Sequence, residues 1–282
     1  MRFQKPLIAA ALTVAAPQAL EAQNLPPAPA AGAPTYADLA DLALAAPVVA
    51  HVRVNSAERL GERLAANVAP GHRRFLVEAN VAALIRGEGG LPARVSYLID
   101  LPNDVAGRPA RIRRRAEFLI LATRDPNHPE RLRLVAPDAQ LAYSPQAAER
   151  LRAILREATL TGAPPRITGI GRAFHVPGTL PGESETQIFL VTADNRPISL
   201  NILRRPGEAP RWSVALSEMV DEAAAPPERD TLLWYRLACT LPRTLPQQAV
   251  AEAGAEEAQA IRADYRLVLE RLGPCARTRR AG

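Results

Sequence analysis

Alternating apolar and polar residues predict most of the strands of this chain, and residues 182–217 show the pattern most clearly. Within them Ile198, Leu200 and Ile202 alternate with polar residues, which is typical of a strand with one buried face. Turn-forming residues separate this strand from similar stretches on either side. We therefore predict a three-stranded antiparallel meander with strands at 186–192, 197–204 and 211–216.

Five stretches before residue 140 predict a second group of strands. These stretches are 48–54, 73–82, 94–101, 117–123 and a fifth around residues 132–134. Residues 117–123 are apolar on both faces, which indicates a strand that is covered on both sides. A helix at about 145–158 follows, with Ser144 as its N-cap and Pro145 as its first residue. Five strands and a helix in this order predict a small closed or half-closed barrel.

Helical spacing of apolar residues predicts three further helices. The first is 36–44 with Thr35 as N-cap, and the last is at about 250–272. Between them, residues 231–240 should form a short helix capped by Asp230. The predicted fold class is thus α+β, mainly β, with an N-terminal five-stranded barrel, an antiparallel meander and a C-terminal helical pair.

Cys239 and Cys275 are the two cysteines of the sequence. In an oxidising compartment such a pair most often forms one structural disulfide, and we predict that it ties the C-terminal helices together. Because the second helix is long, the connection at about 241–250 should run outwards and let that helix return towards Cys239. A reactive or metal-binding pair is the alternative, but the sequence lacks CxxC spacing.

The N-terminal residues predict an exported protein. A basic start with Arg2 and Lys5 precedes an apolar run, and we expect signal peptidase to cleave after Ala22. A Pro- and Ala-rich linker at 23–34 follows. No later stretch is apolar over the roughly 18 to 20 residues that a membrane span needs. The expected location is the periplasm or the medium, with domains at 35–161 and 162–282.

The positive charge of the mature chain comes from arginine alone. The formal net charge is +6, and the predicted signal contributes +1, which leaves +5. Because Lys5 is the only lysine, chemistry that needs a lysine is excluded from the mature chain. The densest basic cluster is the arginine run, defined as Arg111, Arg113, Arg114 and Arg115. Anion binding and solvated loop charge are the two interpretations of this run.

Glu183 and Glu185 are the best candidates for catalysis. Residues two apart on a strand point to the same side, so these carboxylates can lie about 7 Å apart and act as acid and base. The alternative is a turn with solvated carboxylates. No nucleophile elbow, P-loop or dinucleotide motif is present, and the scattered histidines lack metal-binding spacing: His51, His72, His128 and His175. We therefore predict no metal site and no cofactor.

Several short sequences resemble known proteins. Across residues 46–136, Val-Val-Ala-His-Val-Arg-Val, Val-Ser-Tyr-Leu-Ile-Asp-Leu-Pro and Arg-Arg-Arg-Ala-Glu-Phe-Leu-Ile-Leu resemble exported OB-like, netrin-type domains of bacterial proteins. This resemblance implies that the predicted barrel is OB-like. The whole chain, through Gly-Glu-Ser-Glu-Thr-Gln and Trp-Tyr-Arg-Leu-Ala-Cys, resembles an uncharacterised family of exported alphaproteobacterial proteins. That second resemblance implies no activity.

These features favour a non-enzymatic exported scaffold or binding protein. We expect it to act through a protein partner in the cell envelope or through a ligand, without nucleic acid and without a membrane span. The alternative is a hydrolase-type enzyme that uses Glu183 and Glu185. A third hypothesis is an anion-binding module that uses the arginine run.

Overall fold

The computed structural model describes residues 33–104, 106–216 and 224–279, apart from the side chain of Glu62. The predicted signal peptide and nearly all of the predicted linker lie outside the described residues. From Pro34 onwards the chain forms one compact unit. Its described part contains a closed five-stranded barrel, a second antiparallel sheet and four α-helices. The predicted α+β, mainly β, fold class is therefore confirmed.

Ten strands and four helices follow one another along the described part of the chain. The strands are β1 (Val48–Arg59), β2 (His72–Arg86), β3 (Arg94–Pro102), β4 (Glu117–Arg124), β5 (Arg131–Leu134), β6 (Gln140–Ala142), β7 (Ile167–Pro177), β8 (Ser184–Thr192), β9 (Ile198–Arg204) and β10 (Arg211–Ala215). The helices are α1 (Tyr36–Ala45), α2 (Pro145–Thr159), α3 (Leu232–Ala238) and α4 (Ala255–Leu272). Thr35 and Ser144 cap α1 and α2 as predicted.

The first five strands close a barrel with the strand order of an OB-like fold. β1 pairs with β2, β2 with β3, β3 with β5 and β5 with β4, and β4 returns to pair with β1. Every pair is antiparallel except β3–β5, which is parallel. β1 can serve two partners because its pairing with β2 shifts register at three positions, and such bulges bend a strand. The OB-like barrel is confirmed.

Apolar side chains fill the interior of this barrel. Val52, Val77 and Ile120 are fully buried there, and Tyr97 is 2% exposed. The Tyr97 hydroxyl donates a hydrogen bond to Oε1 of Gln140 at 2.7 Å, so its polar end is satisfied. Each large apolar side chain that is fully buried stabilises the fold by roughly 1.5 to 3 kcal/mol.

The outer face of β1 and β4 belongs to a second apolar cluster. Val49, Leu119 and Leu121 are fully buried there, together with the apolar faces of α1 and α2. This double burial explains why residues 117–123 are apolar on both faces. The cluster also includes buried residues of the second sheet, beyond the predicted domain boundary at residue 162. The boundary itself stays a prediction.

The second sheet has four antiparallel strands in the order β10-β9-β8-β7. Strands β8 to β10 are the predicted meander, which is confirmed, and β7 pairs with its β8 edge. Ile188, Leu200 and Ile202 are fully buried in the cluster that includes residues of α3 and α4. Phe174 and Phe189 are 43% and 37% exposed, and their rings contact edge to face. One face of the sheet is therefore core.

Two helix starts differ from the predictions. Thr231, and not Asp230, caps α3, because its Oγ1 accepts a hydrogen bond from the Trp234 N–H at 3.3 Å. Asp230 has a φ angle of +60° and makes the preceding turn. α4 begins later than predicted, at Ala255, because residues 247–250 form a separate 3₁₀ turn.

The predicted disulfide between Cys239 and Cys275 is present, with the two Cα atoms 4.8 Å apart. Cys239 ends α3, and Cys275 follows the end of α4. The disulfide therefore brings the end of the long helix back to the end of the short one, as predicted. A disulfide of this kind fits a protein that folds in an oxidising compartment.

Replacing both cysteines with alanine should lower the free energy of unfolding by roughly 3 to 4 kcal/mol. The reason is that the disulfide closes a loop with a sequence separation of 36 residues in the unfolded chain. Urea unfolding of the oxidised wild type and the Cys239→Ala/Cys275→Ala variant measures the difference. A reductant should weaken the wild type and leave the variant unchanged. Equal stability of the two oxidised proteins would contradict the prediction.

The C-terminal segment after the disulfide ties α1 to the barrel. The carboxylate of Asp38 is 1% exposed and accepts hydrogen bonds from the backbone N–H groups of Thr278 and Arg279, both at 2.9 Å. Arg279 also forms a two-point ion pair, at 2.7 and 2.8 Å, with Asp138 in the loop between β5 and β6. One short segment thus connects the first helix with a barrel loop.

The stability of this connection should depend on pH through Asp38. Burial alone would raise the pKa of Asp38, but hydrogen bonds from Thr278, Arg279 and Thr35 outweigh burial and lower the pKa to about 2. Because this lies below the ordinary value of 3.8, the carboxylate stabilises the fold by about 2 kcal/mol above about pH 4. That stabilisation is lost as the pH falls towards about 2.

Asp38→Asn should therefore lower the free energy of unfolding by about 2 kcal/mol at neutral pH, and the difference should shrink as the pH falls through the range from about 4 to about 2. Urea unfolding across that range measures it. Asp230→Asn, which changes an exposed carboxylate, is the matched control and should show no such trend. A difference that stays constant with pH would refute the linkage.

Candidate functional site

Two connections cross the same end of the barrel, where β1 ends and β2 begins. Because these neighbouring strands are antiparallel, the chain between β3 and β4 lies at the same end as loop 60–71. The N–H of Asn103 donates a hydrogen bond to the Gly71 carbonyl at 2.7 Å and joins the two connections. We call loop 60–71 together with residues 106–116 the basic end of the barrel.

The arginine run lies on the basic end. All four of its side chains are exposed, and none forms an ion pair with another residue that the structure describes. Arg108, in contrast, forms an ion pair with Asp104, with Nε and Oδ2 2.7 Å apart. The N–H of Arg115 donates to the Val54 carbonyl at 2.8 Å, and the Val54 N–H donates to the Ala116 carbonyl at 2.9 Å. The C-terminal end of the run is thus hydrogen-bonded to β1 through Arg115, while its guanidinium groups are exposed.

Loop 60–71 and the start of β2 add two arginines and an exposed leucine, and the loop also contains Glu62. Arg63 and Arg73 are exposed, and the side chain of Leu64 is 69% exposed. Arg74 forms a two-point ion pair with Asp100, with both distances at 2.7 Å, and these hydrogen bonds lower the pKa of the Asp100 carboxyl group. The two ends of the loop line a groove of about 400 Å³.

The exposed guanidinium groups of the basic end are chemically able to bind an anion. Guanidinium groups donate paired hydrogen bonds to phosphate, sulfate or carboxylate oxygens. Loop 60–71 and residues 106–116 contain no aromatic residue, so nucleic-acid bases would have no ring to stack on there.

The predicted acidic pair lies elsewhere, at the hairpin between β7 and β8. Oε2 of Glu183 accepts a hydrogen bond from the Leu180 N–H at 3.4 Å, and its side chain lies against Gly178. Glu185 is exposed on β8, opposite Val176. Glu183 thus stabilises its own turn through its carboxylate. An acid and base role for the two carboxylates stays a prediction.

A buried polar network was missed by the sequence analysis. The Thr186 hydroxyl donates to Oδ2 of Asp264 at 2.5 Å, and Arg204 Nε donates to Oδ1 of the same carboxylate at 2.8 Å. Nδ1 of His175 lies 2.8 Å from the Thr186 oxygen, which can accept a hydrogen bond from it. Because Thr186 is fully buried, its hydroxyl cannot reach a substrate. The network joins α4 to the second sheet.

The sequence does carry a signal for this network. Asp264 lies three residues after Ile261 and four before Val268, on the apolar stripe of α4. A carboxylate in such a position needs donors from a facing element. The sequence does not show which element supplies these donors, because Thr186 is 78 residues away from Asp264 along the chain.

His51 is satisfied within the outer face of the barrel. Its ring stacks on Tyr143 with centroids 3.7 Å apart, and its Nε2 lies 3.1 Å from Oε2 of Glu117. Arg53 also donates to Glu117, and this hydrogen bond contributes most to lowering the pKa of the Glu117 carboxyl group. Among the described residues no group of three or more His, Cys, Asp or Glu side chains could hold a metal ion. None of the described helices could cross a membrane.

Asp264→Ala should lower the free energy of unfolding by roughly 2 to 4 kcal/mol, because the Thr186 hydroxyl loses its acceptor and Arg204 loses its partner. Chemical unfolding measures the loss. Glu270→Ala removes the same charge from an exposed position of α4 and should change stability by less than about 0.5 kcal/mol. If the two variants lowered the free energy of unfolding by similar amounts, the network would not stabilise the fold more than an exposed charge does.

Comparison with known proteins adds no relative to this description. No protein-family model matches the chain, and no curated protein is significantly similar to it. The resemblance to a family of exported alphaproteobacterial proteins therefore stays a prediction. An OB-like fold by itself does not determine an activity.

Proposed function

We propose that this chain is a non-enzymatic binding protein of the periplasm or the medium, and that it binds an anionic ligand at the basic end of its barrel. The disulfide between Cys239 and Cys275 supports an oxidising location. The proposed export also rests on the signal sequence that the N-terminal residues predict.

The observation that carries this proposal is the exposed arginine run, which has no ion-pair partner among the described residues. Four guanidinium groups within five residues repel one another, and an anion with several charges relieves that repulsion. Hydrogen bonds that join Val54 to Arg115 and Ala116 fix the C-terminal end of the run before any ligand arrives. Less backbone freedom is therefore lost on binding.

The proposal predicts retention on heparin with a steep salt dependence. Replacing the four arginines of the run with glutamine should lower the slope of log affinity against log salt by roughly 3, since each charge contributes about 0.7 to 0.9 to nucleic-acid polyanions. Salt-gradient elution gives the first comparison, and titration with soluble heparin at several salt concentrations gives the slope.

The matched control removes four exposed arginines from other parts of the surface. These are Arg150, Arg205, Arg266 and Arg271. Because the net charge of the two variants is equal, a difference between them reports position and not total charge. Elution of the wild type at low salt, or equal elution of the two variants, would overturn the proposal.

A further inference from the structure

Loop 60–71 exposes apolar side chains at its tip. Leu64 is the most exposed of the large apolar side chains that the structure describes. It lies in a 3₁₀ turn, and Ala66, Ala69 and Pro70 of the same loop are exposed as well. A single exposed leucine is ordinary on a protein surface, but here three further exposed apolar residues lie in the same loop. The loop also contains the polar residues Glu62, Arg63 and Asn67.

This apolar tip shares the basic end with the arginine run. The hydrogen bond from Asn103 to Gly71 joins the connection between β3 and β4 to the base of the loop. Arg63 directly precedes Leu64, and Arg73 follows the loop. Exposed cations and exposed apolar groups therefore lie at the same end of the barrel.

We propose that the basic end docks on an anionic lipid bilayer. In this arrangement the arginines bind the phosphates of the lipid headgroups, while Leu64 enters the boundary between headgroups and acyl chains. A soluble polyanion would bind the arginines alone and leave the apolar tip in water. A bilayer surface offers negative charge and an apolar layer within a few ångströms of each other. This inference rests on the proposed anion binding and names its ligand.

Arginine suits such a surface for two reasons. Its guanidinium group donates paired hydrogen bonds to one phosphate, and it is more weakly hydrated than an ammonium group. Its aliphatic stem can lie along apolar surface while the charged head stays at the phosphates. The contact is peripheral, because it uses a loop tip and not a spanning segment.

The test is co-sedimentation with vesicles of phosphatidylcholine, with and without phosphatidylglycerol, at constant salt. The wild type should bind only the vesicles that contain phosphatidylglycerol. Leu64→Gln should bind them about tenfold more weakly, because it removes one large apolar group from the lipid boundary. Leu160→Gln changes a leucine that is 59% exposed at the end of α2 and should bind like the wild type.

Heparin separates this inference from the proposed function. Leu64→Gln should elute from heparin like the wild type, whereas the variant without the arginine run should lose both heparin and vesicle binding. If the wild type binds heparin but not anionic vesicles, or if Leu64→Gln binds vesicles as tightly as the wild type, bilayer docking is wrong and anion binding stands. Failure on both heparin and vesicles overturns both. Because Leu64 is exposed, circular dichroism should show an unchanged fold for its variant.

Discussion

Closure of the barrel depends on one strand, β1, which pairs with β2 along most of its length and with β4 over its first half. β1 has to bend in order to pair with both strands, and the register shifts in its pairing with β2 provide this bend. β4 begins opposite Arg53, so the chain that leaves β3 has to cross the end of the barrel first. The arginine run lies on that crossing, and hydrogen bonds between Val54 and residues 115 and 116 hold its C-terminal end. Barrel closure thus determines where the candidate site lies.

The same strand divides its apolar residues between two cores. Val52 faces the barrel interior, whereas Val49 faces the cluster that continues under the helices and into the second sheet. Buried carboxylates then fix the positions of the helices. Asp38 and Asp264 are each 1% exposed, and a carboxylate can be buried only if donors satisfy its oxygens. Each therefore selects one arrangement of its neighbours, namely the C-terminal segment for Asp38 and the second sheet for Asp264.

Most strands were predictable because one side faces water and the other faces a core, which gives alternation. β6 was missed because its three residues are too few to show a period. The N-cap of α3 was predicted at Asp230 instead of Thr231. The positive φ angle of Asp230, which places this residue in the preceding turn, is not visible in the sequence. The arginine run was identifiable as a cluster. Its apolar neighbour Leu64 was not, since only the pairing of β1, β2 and β3 brings the two connections to one end.

The packing of the barrel also limits where a ligand can bind. Its interior is filled by side chains such as Val77, Tyr97 and Ile120, which are at most 2% exposed, so a ligand has to bind on the surface. On that surface many charges already have partners, as in the pair between Arg74 and Asp100. The arginine run is instead concentrated in five residues at the same end of the barrel as the exposed side chain of Leu64. Crowded like charges repel one another and an exposed apolar side chain is poorly hydrated, so the proposed binding of a negatively charged interface would relieve both costs.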